Sequence, residues 1–313
     1  MGLPVTFLMP VKNGQDFLND SMLNILAMAT AQDEILVVDD QSTDRTKFTL
    51  DVFRETVSNL VVLSNPRPGL ANALNFGIKQ ATNNIIARVD VDDSYAANRI
   101  SKQLEYFTST TVAIFSDYKF FSTECSDLGT VYSAVNPIAV SASLISSQRT
   151  PHPSVVFSRE SVIEVGGYRE SDFPAEDLSL WLRLSRVGEL KSVPLPLLNY
   201  RMNPHGVSAT KRTKMIKKKN SLIFEIGLND SDLEKLENSI QDILLSYQSD
   251  TYGSERRILF AKDLLKISKT YKRHQHLRNF SADILLRELL SGDLLPIARR
   301  LAIEKIKRAR LRG

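Results

Sequence analysis

Short apolar runs and amphipathic segments alternate along the first hundred residues of the chain. The apolar runs have the length of buried strands, and the segments between them repeat apolar residues three and four positions apart, like one face of a helix. The predicted strands lie at 5–9, 34–38, 60–63 and from 85 onward, and the predicted helices at 17–30, from a cap at 42–44 to about 56, and at about 71–81. Continuous apolar strands that alternate with helices predict an α/β fold with a mainly parallel sheet, covered by helices on both faces.

The pattern changes in the second part of the chain. Further strands are predicted at 113–121, 154–157 and 192–200, and a further helix at 175–186. Beyond about residue 209 the sequence becomes helical and basic, with lysine and arginine clusters at 211–219 and 299–312. We therefore expect one α/β domain over residues 1–210, with a change of character near 110, and a basic helical region over 211–313.

Composition is compatible with a large folded core and gives no sign of secretion. The chain has 313 residues, 42% of them hydrophobic, and the single Cys125 excludes an internal disulfide. Residues 1–9 lack the basic lead of a secretion signal, and the longest uncharged run, 128–148, is rich in serine and contains Pro137. We expect a cytoplasmic protein, with peripheral attachment to the cytoplasmic face of the membrane as an open alternative.

Three carboxylates follow the fourth apolar run within four positions. Residues 85–89 have the composition of a buried strand apart from Arg88, and Asp90, Asp92 and Asp93 come directly after them. Clustered ionised carboxylates are unfavourable in an apolar interior, so they belong where the chain leaves the core. Oxygen ligands of this kind suit Mg²⁺ or Mn²⁺ shared with a phosphate-bearing substrate, whereas an acidic turn after a strand is the simpler alternative.

Polar residues follow several predicted strands at the same end. Lys12 and Asn13 come after the first strand, Asp39 and Asp40 after the second, and the three carboxylates after the fourth. The carboxyl ends of parallel strands form the edge of the sheet where ligands bind in α/β proteins. These residues therefore predict one shared cleft instead of separate surface turns.

Together these motifs resemble those of family 2 glycosyltransferases with the GT-A fold. In chain order they lie at 6–13, 37–44, 87–93, 98–103, 152–157, 166–169, 176–177 and 181–184. The resemblance covers about residues 3–210 and depends on the order and spacing of the motifs. It implies a nucleotide-binding half at about 1–110 and an acceptor half at about 111–210. It also implies transfer of a sugar from a nucleotide-diphosphate donor, commonly a UDP-sugar, to an acceptor hydroxyl, with inversion at the anomeric carbon.

The resemblance implies a donor site along the predicted cleft. Its expected donor-binding residues are Pro10, Val11, Asn13, Asp39, Asn75, Arg88, Asp90 and Val91. Asp39 would recognise the nucleobase, and Asp92 would be the direct ligand of a Mn²⁺ or Mg²⁺ ion that stabilises the departing diphosphate. Asp93 would either orient this loop or act as a turn residue.

Arg88 and Asn75 each leave two interpretations open. Arg88 lies two positions before Asp90, so both side chains point to the same face of the strand. Its guanidinium could contact a donor phosphate or hold the aspartates. Asn75 shares a helix face with Asn72 and Lys79, and this face either approaches the diphosphate or is solvated.

The resemblance assigns the acceptor chemistry to Glu176 and Asp177. Asp177 would be the general base that removes a proton from the attacking hydroxyl, and Glu176 would bind the acceptor or position the base. Acids at this place also favour a helix N-terminus without any catalytic role. Trp181, four residues after Asp177, would stack on a sugar ring or pack in the core. His152 is expected at the acceptor site or in a structural role.

A further metal ligand is left open. Family 2 members often carry a histidine shortly after a Tyr-Arg pair, which Tyr200 and Arg201 provide here. The expected place near Asn203 lacks a histidine, and His205 follows two residues later. His205 is therefore a candidate metal ligand whose position departs from the family pattern.

The basic C-terminal region suggests a binding partner. Residues 294–311 combine apolar positions with arginines and lysines, as do helices that lie on anionic membrane surfaces. A solvated or oligomeric helix face is the alternative. Membrane attachment would suit a glycan or lipid-linked glycan acceptor in surface polysaccharide synthesis. No basic motif interleaved with aromatic residues predicts binding to nucleic acid.

Two other functions are compatible with parts of the pattern. A sugar-phosphate nucleotidylyltransferase also uses an α/β sheet and a metal, but it would favour a glycine-rich loop after the first strand, where this chain reads PVKNG. A non-catalytic, membrane-docked sugar-nucleotide-binding protein would not need Asp177 in addition to Asp90 and Asp92. Both remain alternatives to a transferase.

Overall fold

The computed structural model describes residues 3–122, 126–204, 206–247 and 253–271, together with Leu277 and Ser281. Its strands are β1 Val5–Val11, β2 Glu34–Asp39, β3 Leu60–Ser64, β4 Ile85–Arg88, β5 Ser94–Tyr95, β6 Thr111–Phe121, β7 Thr130–Val131, β8 Val156–Ser158 and β9 Glu189–Arg201. Its helices are α1 Gln15–Met28, α2 Thr46–Thr56, α3 Leu70–Gln80, α4 Arg99–Leu104, α5 Pro137–Leu144, α6 Arg159–Glu164, α7 Glu176–Leu184, α8 Val207–Thr210, α9 Arg212–Ile226, α10 Asp230–Asn238, α11 Ile240–Ser246 and α12 Gly253–Thr270.

The strands and helices predicted for the first part of the chain are confirmed, with ends shifted by one or two residues. Helix α2 begins at Thr46, and Asp44 Oδ1 accepts a hydrogen bond from the Thr46 N–H at 3.0 Å. The strand predicted at 154–157 begins two residues later than expected. The reason is a 3₁₀ turn at His152–Ser154, which follows Pro151.

The strands of the described residues form one mixed sheet in the order β3-β2-β1-β4-β8-β6-β9-β5, with β7 paired to β6. The first four strands in this order are parallel. Strand β8 is antiparallel to both neighbours, β6 and β9 are parallel, and β5 is antiparallel to β9. The carboxyl ends of β1, β2 and β4 therefore share one edge of the sheet, as the sequence predicts.

The apolar interior of the parallel part is built from strand residues that are buried on both faces. All seven residues of β1 are buried. Helix α3 packs tightly on this layer because Gly77 has no side chain. An added Cβ there would overlap the Leu8 side chain and lie 3.1 Å from Val38 Cγ2. This close approach fixes where α3 lies above the sheet.

The chain forms two compact units. The first contains Met1–Ser133 and Thr150–Gly227, and the second contains Ala134–Arg149 and Leu228–Gly313. The first unit holds the sheet and also α9, whereas the division expected from composition was at residue 210. Helix α9 belongs there through contacts such as the ion pair between Lys218 Nζ and Asp172 Oδ1, at 3.0 Å.

The described part of the second unit is helical. Its interior contains Leu233, Leu236 and Ile243, which are fully or almost fully buried. It also contains a buried ion pair in which Arg149 Nη2 lies 2.7 Å from Asp263 Oδ2. Such a pair needs its full set of hydrogen bonds to offset desolvation.

No helix in the described part of the chain is long and apolar enough to cross a membrane. The tail at 294–311, for which the sequence suggests a membrane surface, lies outside the described residues.

Candidate active site

The loops after β1 and β2 are held together by hydrogen bonds. Asn13 has a φ of 52°. Its N–H donates to Ser42 Oγ at 2.9 Å, and its side-chain oxygen accepts from Thr43 N at 2.8 Å. The N–H of Asp40 donates to the Val11 carbonyl at 2.7 Å. The polar residues that follow the two strands therefore lie side by side at the carboxyl edge of the sheet.

Three apolar residues lie at the carboxyl edge of the sheet beside these loops: Pro10, Val11 and Val91. The side chains of Pro10 and Val11 are buried within β1. Val91 comes from the loop after β4, and its Cγ2 would lie 3.1 Å from a Cβ added at Gly14. The loops after β1 and β4 therefore touch each other.

Asp39 and Asp40 are both buried at the end of β2 but have different partners. Asp39 Oδ1 accepts from Ser42 N at 3.3 Å. Asp40 Oδ1 accepts from Asn65 Nδ2 at 2.6 Å and from Gly69 N at 2.9 Å. Gly69 precedes α3 with a φ of 117°, a conformation that favours glycine. Asp40 therefore fixes the entry to α3, and Asp39 is left with the weaker hydrogen bond.

The loop after β4 gathers three carboxylates. One oxygen from each of Asp90, Asp92 and Asp93 lies within 4.8 Å of the other two. The backbone N–H of Asp90 donates to the Tyr95 hydroxyl at 2.8 Å, and Asp93 Oδ1 accepts from Arg201 N at 2.7 Å. These bonds fold the loop back onto β5 and β9 and bring the carboxylates together.

Burial and like charges raise the pKa values of two of these carboxylates. Burial raises the pKa of Asp92, and the Asp90 charge adds to the effect. The pKa of Asp93 is raised well above its usual range by burial first, and then by Asp90 and Asp92. Arg201 lies close by, and its Nε donates to the Asp92 carbonyl at 2.7 Å. A cation among the three carboxylates would relieve the same repulsion.

The oxygen donors of this cluster fit a hard divalent cation. Carboxylates are ligands that Mg²⁺ and Mn²⁺ prefer. Asp93 Oδ2 is buried and has no hydrogen-bond partner among the described residues, so one acceptor inside the cluster remains available. The Asn203 side chain hydrogen-bonds to Asp92. The other candidate ligand, His205, lies outside the described residues.

A buried arginine lies beside the carboxylates. Arg88 Nη2 is 2.7 Å from Asp90 Oδ1. Within the described part of the chain, Arg88 Nε and Nη1 are buried without a hydrogen-bond partner. The Arg88 carbonyl accepts from Arg99 Nη2 at 3.0 Å, and the Arg99 guanidinium lies 4.4 Å from the centroid of the Tyr95 ring. Arg88 therefore holds Asp90 through Nη2, and its nitrogens Nε and Nη1 have no hydrogen-bond partner among the described residues.

Glu176 and Asp177 begin α7, and the charge of Asp90 acts on Glu176. Glu176 is 5% exposed, and its Oε2 has no hydrogen-bond partner in the described structure. The pKa of Glu176 is raised to about 7, by burial first and then by the charges of Asp177 and Asp90, against the lowering effect of the Arg88 charge. Asp177 is half-buried, and its Oδ1 accepts from Leu178 N at 2.7 Å. The carboxylate cluster and the acidic pair are therefore close enough to interact.

His152, Tyr168 and Trp181 form an aromatic layer in the same surroundings. His152 Nε2 lies 2.7 Å from the Tyr168 hydroxyl. The Trp181 ring packs edge-on against His152 and Phe115, with centroids 5.7 and 5.2 Å apart. Burial lowers the pKa of His152 well below its usual range, and the Arg88 charge adds to this, so the imidazole is neutral. Trp181 is 1% exposed, which favours core packing over stacking on a sugar.

Asn75 is engaged by the backbone of Tyr168. Its Nδ2 donates to the Tyr168 carbonyl at 2.7 Å, and its Oδ1 accepts from Tyr168 N at 2.8 Å. Gly167 lies directly beside this amide, because a Cβ added there would come 2.5 Å from Asn75 Oδ1. Both ends of the Asn75 amide are therefore occupied, which favours a structural role over the donor contact expected from the sequence.

Comparison with known proteins identifies the part of the chain that holds Asp39, Arg88 and the three carboxylates after β4. Residues 6–128 match the family described as glycosyl transferase family 2. The chain carries a family 2 glycosyltransferase domain. A similar protein is the UDP-Gal:alpha-D-GlcNAc-diphosphoundecaprenol beta-1,3-galactosyltransferase of Escherichia coli, which is 29% identical over 178 residues. That match covers 55% of this chain and 64% of the enzyme, slightly less than two thirds of its length.

Further relatives agree with this assignment. The amylovoran biosynthesis glycosyltransferase AmsE of Erwinia amylovora is 26% identical over 191 residues, which cover 60% of this chain and 71% of AmsE. Among solved structures, TarS 1-349 of S. aureus with UDP-GlcNAc gives a TM-score of 0.61 at 13% identity, over 98% of this chain and 90% of that one. The mannosyltransferase PcManGT of Pyrobaculum calidifontis, in complex with GDP-Man and Mn²⁺, gives a TM-score of 0.59 at 18% sequence identity. That match covers 99% of this chain and 83% of PcManGT. The glycosyltransferase domain therefore has the GT-A fold that its motifs led us to expect.

Some residues that shape the site in the glycosyltransferase domain were not predicted as site residues. Tyr168 and Arg99 lie inside the motifs at 166–169 and 98–103, but the sequence alone assigns them no role. Arg201 and Asn203 reach Asp92 because β9 pairs with β5, next to the carboxylate loop. Their place after a tyrosine in the expected Tyr-Arg motif was the available signal.

Proposed function

We propose that this protein is a metal-dependent, inverting glycosyltransferase. It transfers a sugar from a UDP-sugar donor to a hydroxyl of a glycan or lipid-linked glycan during surface polysaccharide synthesis. The observation that carries the proposal is the proximity of two acidic groups. Asp90, Asp92 and Asp93 converge after β4, and the charge of Asp90 acts on Glu176 at the start of α7.

Asp92 would hold the divalent cation, with Asp90 and Asp93 at its side. When bound, Mn²⁺ or Mg²⁺ would supply electrostatic stabilisation of the negative charge that develops on the leaving diphosphate. The buried Asp93 Oδ2, which has no partner in the described residues, supports a cation at this place. Asn203 would keep the Asp92 carboxylate oriented through its hydrogen bond.

The donor would lie across the loops after β1, β2 and β4. Asp39 is the better candidate for the nucleobase, because Asp40 is engaged with Asn65 and Gly69. A carboxylate that accepts from a ring N–H discriminates between bases, since the wrong base leaves buried polar groups unpaired. Arg88 would donate from Nε and Nη1 to the sugar-nucleotide donor while Nη2 holds Asp90.

Asp177 would act as the general base. It is the more exposed member of the acidic pair, and a base must reach the hydroxyl of the incoming acceptor. Glu176, with its pKa raised to about 7, is substantially protonated at neutral pH and can donate a hydrogen bond. The inversion would follow from direct attack by the acceptor oxygen, with the proton passing to Asp177 as the bond to the diphosphate breaks.

The substrate class is proposed from relatives. Two similar E. coli enzymes are named for UDP-Gal or UDP-Glc and for alpha-D-GlcNAc-diphosphoundecaprenol. The structurally similar TarS was solved with UDP-GlcNAc. These names favour a UDP-sugar and a diphosphate-linked lipid acceptor for this chain as well.

Transfer by purified protein from a panel of UDP-sugars to a GlcNAc-diphospholipid acceptor tests the proposal. We expect product only with added Mn²⁺ or Mg²⁺, and NMR of the product should give the anomer opposite to that of the donor. Asp177→Asn should abolish transfer and keep UDP binding, whereas the exposed Asp51→Asn on α2 should leave both unchanged. Retention of the donor anomer, turnover in excess chelator, or full activity of Asp177→Asn would each reject the proposal.

A further inference from the structure

Helix α9 carries a dense positive charge within the first unit. Residues 211–226 contain six lysines and arginines and a single acid, Glu225. Among the described residues, only Lys218 of this group has a carboxylate partner, Asp172. The remaining cations include Arg212, Lys214 and Lys217, all exposed. A helix with this much uncompensated charge attracts an anionic partner.

The same helix exposes large apolar side chains. Phe224 is 91% exposed and Ile216 is 50% exposed, whereas Leu222 is buried. Phe224 lies seven positions after Lys217. Seven positions are about two helical turns, so the two side chains lie on nearly the same outward face. An exposed aromatic ring on the same helix face as cationic side chains is typical of a surface that inserts apolar groups below charged headgroups.

Helix α2 provides a comparison within the same unit. Its Phe48 is 68% exposed, so an exposed phenylalanine is not peculiar to α9. The cations of α2, however, alternate with acids, and Arg54 Nη1 lies 3.6 Å from Asp51 Oδ1. Of these two helices, only α9 combines exposed apolar side chains with a large excess of positive charge, because Glu225 is its single acid.

We propose that the outward face of α9, defined by Arg212, Ile216, Lys217 and Phe224, docks the protein on an anionic phospholipid bilayer. A second copy of the chain is a poor occupant, because a symmetric contact would bring two sets of positive charges together. A nucleic acid would use the cations but would leave the aliphatic Ile216 without a partner. The bilayer satisfies both, with phosphates for the cations and acyl chains for the apolar side chains.

This surface lies near the proposed acceptor side of the site. Lys218 of α9 pairs with Asp172, and Asp172 accepts a hydrogen bond from Ser179 of α7. Helix α7 begins with Glu176 and Asp177. Docking through α9 would therefore bring the acceptor half of the domain close to the lipid surface. The inference itself does not depend on the transfer reaction, since vesicle binding is measured without substrates.

Sedimentation of the full-length chain with vesicles tests the proposal. We expect binding to vesicles of equal parts phosphatidylglycerol and phosphatidylcholine, and little binding to phosphatidylcholine alone. Each cation replaced by glutamine should weaken binding about fivefold, and Phe224→Ser should weaken it about tenfold. The triple variant Arg212→Gln, Lys217→Gln, Phe224→Ser is compared with a matched variant on α2, Lys47→Gln, Phe48→Ser, Arg54→Gln, which should bind like wild type.

Fluorescence gives a second readout that other basic segments of the chain do not influence. Phe224→Trp should shift its emission to the blue on anionic vesicles and be quenched by brominated acyl chains, whereas Phe48→Trp should not. Trp181, the only native tryptophan, is buried and adds a constant background. Equal vesicle binding by the triple variant and wild type, or an unquenched Phe224→Trp in vesicle-bound protein, would overturn the proposal. So would tight binding of a short oligonucleotide without vesicle binding, or an oligomer in solution that the triple variant dissociates.

Discussion

Replacement of Glu176 by glutamine should change how the stability of the domain depends on pH. Glu176 is 5% exposed, and burial together with Asp177 raises its pKa from an ordinary 4.5 to about 7. Because folding raises the pKa of Glu176 this far, the free energy of unfolding is about 3 kcal/mol lower when Glu176 is ionised than when it is protonated. Glutamine has nearly the same shape and cannot ionise, so it removes this contribution.

The direction of the effect follows from proton binding. Between about pH 4.5 and 7 the folded state keeps a proton on Glu176 that the unfolded chain has released. The free energy of unfolding should therefore fall as pH rises through this window and then level off above about 7. In Glu176→Gln this fall should be smaller by about 3 kcal/mol in total between pH 4.5 and pH 8.

Urea unfolding at a series of pH values measures the effect. The fluorescence of Trp181 reports on the relevant unit, because it is the only tryptophan and lies in the same helix as Glu176. Glu55→Gln, at an exposed position of α2, controls for the loss of a negative charge in general. Parallel stability curves for wild type and Glu176→Gln would refute the reasoning, because Glu176 would then titrate equally in both states.

Two further predictions concern residues whose side chains hold neighbouring segments in place by hydrogen bonds. Asp40→Ala should lower the free energy of unfolding by about 3 kcal/mol, because the buried Asn65 amide and the Gly69 N–H lose their acceptor; a loss below about 1 kcal/mol in urea unfolding would contradict this. Asn75→Ala should lower it by about 2 kcal/mol, because two hydrogen bonds to the Tyr168 backbone disappear. Weaker UDP binding by Asn75→Ala, with unchanged stability, would instead restore the donor contact expected from the sequence.

Neighbouring residues of the same chemical type serve as controls for these two variants. Asp39→Asn removes the charge of a residue with only a 3.3 Å hydrogen bond to Ser42 N, so its effect on stability should be small. Asn72→Ala, on the same helix as Asn75, loses a hydrogen bond to the Pro68 carbonyl near the surface. Large losses in either control would mean that any substitution in these loops destabilises the domain.

The parallel half of the fold could be predicted from the sequence because its signal is local. The strands of that half are short apolar runs bounded by polar residues, and their ends lie within two residues of the predicted ones. The insertion of β8 between β4 and β6 could not be predicted in this way. Strand β8 has three residues, and its place depends on partners about seventy residues away in the chain.

It was easier to predict which residues gather at the site than to predict the role of each side chain there. The clustering of Asp90, Asp92 and Asp93 follows from their position at the end of a buried strand. Whether a polar side chain has a structural role or stays available for a ligand depends on backbone groups far away in the sequence. The Asn75 side chain hydrogen-bonds to the backbone of Tyr168, 93 residues later, and no local sequence pattern predicts such a contact.

Binding of UDP with and without Mn²⁺, measured by titration calorimetry on wild type, Asp92→Ala and Asp177→Asn, tests the central claim most directly. If the carboxylates after β4 hold a cation for the diphosphate and the acid at the start of α7 serves the acceptor, Mn²⁺ should strengthen UDP binding in wild type and in Asp177→Asn. It should have no such effect in Asp92→Ala. An unchanged Mn²⁺ effect in Asp92→Ala would contradict the assignment of the metal site.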